Sequence, residues 1–179
     1  VKNQEIASLM KEKFGITKAK TIRAINEADI QQTAFENALQ SRGRIILEHL
    51  PKDKKAMVIL GRPYNTGDPA LNLRLVEKLI NLNTIPIPVD FLPLNQENIF
   101  DDYKMMYWPN GQKILSAPRI IRKDDRMFGV FMGNFRCGPD SFLTHFVRNE
   151  KKGKPYLHLE VDEHSADAGL ITRCEAFLD

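Results

Sequence analysis

Phe128-Gly129-Val130-Phe131-Met132-Gly133-Asn134-Phe135-Arg136-Cys137-Gly138-Pro139-Asp140-Ser141 is the stretch on which the reading of this chain turns. Residues 128–132 are an apolar run of the kind that forms a strand buried on both faces. The run stops at glycine and presents one cysteine. It then enters Gly-Pro-Asp-Ser, which has the chemistry of a turn opening a helix. A thiol between a strand end and a helix start lies near the positive end of the helix dipole, which favours thiolate, the form that binds metal or attacks electrophiles.

The same alternation extends in both directions. Upstream, Ala56-Met57-Val58-Ile59-Leu60 is a second short apolar run bounded by lysines and Gly61. Residues 61–69 are dense in turn formers and read as a loop. Leu71, Leu75, Leu79 and Leu82 make one helical stripe, and Ile85-Pro86-Ile87-Pro88-Val89 is a strand whose prolines favour a sheet edge. Residues 90–127 show the weakest pattern, although 111–121 are helical in spacing despite Pro118. The large side chains Tyr103, Met105, Met106, Tyr107 and Trp108 read as core packing or a subunit contact, with a cofactor wall as the other reading. Downstream, a helix over 139–149, a strand over 155–161 and a helix over 166–178 complete the series.

This order predicts an α/β fold: an open, mostly parallel four-stranded sheet, flavodoxin- or Rossmann-like, in the order 2-1-3-4. Residues 1–54 read as a helical extension and 55–179 as a three-layer domain. In the extension, Ile6, Leu9, Met10 and Phe14 share a helix face that Gly15 ends. A longer helix over 21–50 is bent or divided at Gly43 and stopped by Pro51.

Composition bounds the function. The chain has 179 residues, 42% hydrophobic and 27% charged, as in an ordinary globular domain. A net charge of +3 does not argue for nucleic acid, and Lys52-Asp53-Lys54-Lys55 reads as a solvated loop. No run approaches the roughly 20 apolar residues of a membrane span. Cys137 and Cys174 make no disulfide framework, so a reducing, cytoplasmic setting is expected. The first residue is Val1 and the last helix stops at Asp179, so the chain is expected to be an excerpt of a longer polypeptide.

In an open α/β sheet, ligands bind beyond the strand carboxyl ends where strand order reverses. In the order 2-1-3-4 that point brings together Arg62 and Tyr64 after the first strand and Asn134, Arg136 and Cys137 after the third. Asp162, Glu163 and His164 after the fourth would be their neighbours. Cys137 is the candidate metal or cluster ligand; its other reading is a small hydrophobe at a tight turn. Arg62 is a candidate clamp for phosphate or carboxylate, or a partner of Asp162 or Glu163. His164 is a candidate acid–base or metal group, or a hydrogen-bonding cap. Asp140 and Ser141 are assigned to the helix start, Asp167 to the dipole of the last helix, and Cys174 to the core. No nucleotide-binding glycine motif and no Cys-x-x-Cys pair is present, and one thiol cannot hold a four-iron cluster.

Three of these segments carry a family resemblance: Gly61-Arg62-Pro63-Tyr64-Asn65, Asn134-Phe135-Arg136-Cys137-Gly138-Pro139-Asp140-Ser141, and the run from Leu157 through Asp162-Glu163-His164-Ser165 to Gly169. Together they resemble the large CoA-substrate-specific enzyme activases, the 2-hydroxyglutaryl-CoA dehydratase activator type, in the region related to 2-hydroxyacyl-CoA dehydratases. The resemblance covers roughly residues 55–179. It implies a role beside ATPase domains in iron–sulfur-dependent, ATP-driven electron transfer, with Cys137 as this chain's cluster ligand; Arg62 and Tyr64, from the same rim, are the candidate cofactor-binding neighbours. It implies partners among other domains of the same polypeptide, a dehydratase-type protein or a second copy; from charge and hydropathy, neither nucleic acid nor membrane is expected as a partner. ATPase motifs and the family's further cysteines are absent from this chain, so no independent activity is expected of it. A stand-alone enzyme with Cys137 as nucleophile and His164 as base, and a purely structural or interaction module, are the alternatives.

Overall fold

β1 (Ala56–Gly61) is buried along its whole length, because both of its faces and both of its edges are used. The computed structural model describes residues 2–179. By its internal contacts the chain divides into two units, the first ending at Ser41 and the second running from Arg42 to Asp179.

The first unit is helical. It contains α1 (Lys2–Phe14) and most of α2 (Lys18–Glu48). Gly15, at φ +66°, ends α1: its amide and that of Ile16 turn back onto the carbonyls of Lys11 and Met10, the bonding of a left-handed helix stop. Ala7 and Thr21 are buried, whereas Leu9, Phe14, Ile30 and Phe35 are exposed. The bend expected at Gly43 is not observed, and α2 runs unbroken. The glycine serves close approach instead, since a Cβ there would lie 1.9 Å from the Phe91 carbonyl oxygen.

The second unit is the α/β domain. After β1 come α3 (Pro63–Gly67), α4 (Leu75–Asn81), β2 (Ile85–Pro88), α5 (Pro109–Ile121), β3 (Met127–Asn134), α6 (Gly138–Glu150), β4 (Tyr156–Val161) and α7 (Asp167–Leu178). The four strands form one all-parallel sheet in the order β2-β1-β3-β4, as the sequence predicts, with the proline-bearing β2 at an edge. Val58, Leu60, Ile87 and Phe131 face α5 and α6 in one core. Met57, Ile59, Val130, Met132, Leu157 and Leu159 face α4 and α7 in the other, which also takes the fully buried Cys174.

Two local expectations are corrected. The segment 61–69, expected as loop throughout, contains α3: Pro63 presets φ, and the Arg62 carbonyl accepts the amides of Asn65 and Thr66. The helix expected over 71–82 starts only at Leu75. Asp68 Oδ1 takes the Ala70 and Leu71 amides, and Leu73 and Arg74 both sit at φ +52°, so the chain must turn before it can wind.

Residues 99–108 lack helix or strand and are held by side chains. Glu150, at the end of α6, accepts Arg119 Nε at 2.7 Å, Arg119 Nη2 at 2.9 Å and the Tyr103 hydroxyl at 2.7 Å. Its carboxyl is held below the usual range, first by the Arg119 hydrogen bond. Burial, then the hydrogen bond to Glu150, pushes the Tyr103 phenol up to about 12. Tyr103 and Trp108 pack on the core and Met106 is buried, while Met105 and Tyr107 stand in solvent.

Candidate functional site

The strand order reverses between β1 and β3, and that point is closed by one carboxylate. Gly61, at φ +153°, ends β1, and a Cβ there would come within 2.5 Å of the Met132 carbonyl oxygen, so glycine is what lets the two strands approach this closely. Arg62 follows, with its guanidinium 4.6 Å from the centre of the Tyr64 ring. Its Nη2 donates to Asp140 Oδ2 at 2.9 Å, and the same oxygen accepts the Asn134 amide at 3.0 Å. Asp140, 2% exposed, thus ties the loop after β1, the end of β3 and the first turn of α6 together.

This corrects two assignments made from the sequence. Arg62 pairs with Asp140, not with Asp162 or Glu163. Asp140 does not cap α6; its carboxylate reaches back to Asn134 and Arg62, and the N-cap position is held by Cys137. Among the described residues, the tie leaves polar atoms without a protein partner: Asp140 Oδ1, Arg62 Nε, and both ends of the fully buried Asn65 amide. Unpartnered buried groups are uncommon, and they concentrate here.

Cys137 is half-buried. Its amide donates to the Asn134 carbonyl and its carbonyl accepts the Ser141 amide, both at 3.0 Å, so the backbone is fixed on either side of the thiol. Among the described residues its sulfur enters no hydrogen bond, and nothing joins it to His164. Arg136, at φ +58°, throws its guanidinium over the Phe135 ring, 5.3 Å from the centroid.

Beside this tie lies a cleft of about 790 Å³, lined by Asn134, Phe135, Arg136, Asp162, Glu163 and His164, with the 70–73 turn as its other wall. The loop after β4 is built on Asp162, whose Oδ1 accepts the Ser165 hydroxyl at 2.8 Å and the His164 amide at 3.0 Å. Those bonds, Ser165 first, hold its carboxyl below the usual range. His164 stands in solvent, 3.7 Å from Glu163. The structure therefore gathers Asn134, Arg136, Asp162, Glu163 and His164 around one cleft. Arg62 and Tyr64 lie at the Asp140 tie, and Asn134 belongs to both groups.

A second cleft, of about 780 Å³, opens on the other side of the α6 start. Its walls are Tyr103, Met105, Tyr107, Trp108, Phe142 and Phe146, with Gly138 and Pro139 at the end nearest Cys137. The sequence reading missed the parts played by Asp140, Asn65 and Phe142. Only the acid three residues into the helix was a signal, and it pointed to a cap.

Among the described residues no three His, Cys, Asp or Glu side chains are grouped to hold a metal ion. Cys137 is a single thiol, whereas an iron–sulfur cluster needs about four ligands. The residues present do not make a cluster site by themselves.

No curated protein and no solved structure matches the chain. Comparison with protein families matches residues 2–92 to the family described as "CoA enzyme activase uncharacterised domain". That match runs from α1 past β2 and takes in Gly61-Arg62-Pro63-Tyr64, but it ends before the Cys137 loop. It covers just over half the chain, and on it this protein belongs to the CoA enzyme activase domain family.

Proposed function

We propose that this chain is a non-catalytic supporting domain of an activase related to 2-hydroxyacyl-CoA dehydratases, working in a reducing cytoplasmic setting, and that it presents Cys137 as one ligand of a shared iron–sulfur cluster. The observation that carries this reading is the position of the thiol. It stands at the N-cap of α6, at the reversal point of a parallel sheet, with its backbone pinned and its sulfur free of hydrogen bonds among the described residues. Family membership supports the activase setting. The remaining ligands would come from outside this chain, from further domains of the same polypeptide or from a dehydratase-type partner. ATP-driven electron transfer would belong to that larger assembly.

The test is metal content. The full-length protein, prepared without oxygen, is assayed for iron and for visible charge-transfer absorption, beside Cys137→Ala and Cys174→Ala variants. Loss of iron in the first and retention in the second is expected. Unchanged iron in Cys137→Ala would remove the ligand role.

A further inference from the structure

The two edges of the sheet are finished differently. In β2 the Ile85 amide bonds to the Lys55 carbonyl just before β1, so Ile85 and Ile87 turn their backbone groups inward and Pro86 and Pro88 turn theirs out. The outward positions therefore have no N–H to offer, and this edge is closed to a further strand. In β4 the Val161 carbonyl accepts the Phe135 amide beyond β3, so Leu157, Leu159 and Val161 point inward. Tyr156, His158 and Glu160 point their backbone groups outward, and none is proline.

The faces of β4 are unequal as well. Leu157, Leu159 and Val161 are buried beneath α7, while Tyr156 and His158 are half-buried and Glu160 is exposed on the α6 side. The imidazole of His158 leans on Phe131 at 5.4 Å and lies 3.9 Å from Glu160. A parallel sheet normally has both faces covered. Among the described residues, the outward backbone of β4 is guarded by one side chain, Arg173 of α7, whose guanidinium donates to the His158 carbonyl.

We infer that β4 is an interface for a second copy of this chain, the two β4 strands pairing antiparallel across a two-fold axis at Leu159. The sequence of the strand argues for that occupant. Outward-facing residues must meet outward-facing residues in an antiparallel hydrogen-bonded pair. With the axis at Leu159, His158 faces Glu160 of the other copy and Glu160 faces its His158. Each imidazole then meets a carboxylate, twice in the dimer. On the opposite face Leu157 meets Val161. The four-stranded sheets join into one continuous sheet of eight, and Arg173 must release the His158 carbonyl as they do.

Sedimentation velocity across a concentration series tests this on the 1–179 chain. A monomer–dimer equilibrium is expected. His158→Glu sets carboxylate against carboxylate and is expected to weaken the dimer about tenfold. The swap H158E/E160H restores the pairing and most of the affinity. Arg173→Ala frees the carbonyl and is expected to tighten the dimer. Hydrogen exchange is expected to slow at the Tyr156, His158 and Glu160 amides as the dimer forms. The inference is overturned by a chain that stays monomeric at millimolar concentration, including one whose β4 pairs with a strand of another protein. A dimer indifferent to His158→Glu, or a swap that fails to restore association while folding normally, overturns it equally.

Discussion

The two ends of α6 each carry a buried carboxylate, and the two are treated in opposite ways. At the C-terminal end, Glu150 accepts two bonds from Arg119 and one from Tyr103, and its backbone carbonyl takes Arg122. At the N-terminal end, Asp140 loads one oxygen with two donors, and among the described residues its other oxygen, Arg62 Nε and the Asn65 amide have no partner. A buried charge with both of its oxygens bonded holds elements together. A buried charge met at a single point positions a loop without making the most of the bond. The difference teaches that the far end of α6 is tied by more protein bonds than the end beside Cys137, among the described residues.

The sharpest way to break that contrast is to remove Glu150. Glu150→Ala leaves Arg119 and the Tyr103 hydroxyl without their shared buried acceptor and is expected to cost about 3–5 kcal/mol, read from the urea midpoint. A loss below about 1 kcal/mol would show the cluster to be ornamental. Asp140→Asn comes next, with an expected loss of about 1–3 kcal/mol, because the amide keeps the shape and loses only the charge. An effect as large as that of Glu150→Ala would erase the distinction between the two ends.

Proton linkage sharpens the comparison. The Glu150 carboxyl titrates below its unfolded value, so its contribution is present above about pH 4.3 and is lost as the pH falls through the folded value. Glu150→Gln is therefore expected to flatten part of the acid limb of stability against pH. Tyr103 is raised, so its contribution is complete below about pH 10 and is lost as the pH climbs towards about 12. Tyr103→Phe should flatten the alkaline limb. Limbs that keep their slope would locate the linkage elsewhere. The smallest effect is expected at Asn65→Leu, which replaces two unpartnered polar groups by methyls and should change stability by less than about 1 kcal/mol. A loss of 2 kcal/mol or more by the same measure would mean the amide has a partner in solution.

What the sequence made legible was whatever is local. β1 and β3 are uninterrupted apolar runs between turn formers, and Pro86 and Pro88 announce an edge because a missing N–H is a property of the residue itself. The position of Cys137 at a helix start follows from Gly138 and Pro139 in the same way. The Arg62–Asp140 bond was hidden because its partners are 78 positions apart and several carboxylates were equally available on paper. Residues 99–108 had no readable period because Glu150, from another helix, holds them through Tyr103. The cleft beside His164 was half visible: topology brings 134–136 to 162–164, but the 70–73 wall depends on two left-handed residues that no pattern signals.

The central place of β1 has a consequence for how the protein is made. Ala56 pairs with Ile85 on one side and with Met127 on the other, so a ribosome releases the strand well before its second neighbour exists. At roughly ten residues per second the wait is several seconds. During that interval Met57-Val58-Ile59-Leu60 is a sticky ribbon with one seam open. Chaperone dependence during synthesis should therefore track the length of the stretch between the first and third strands.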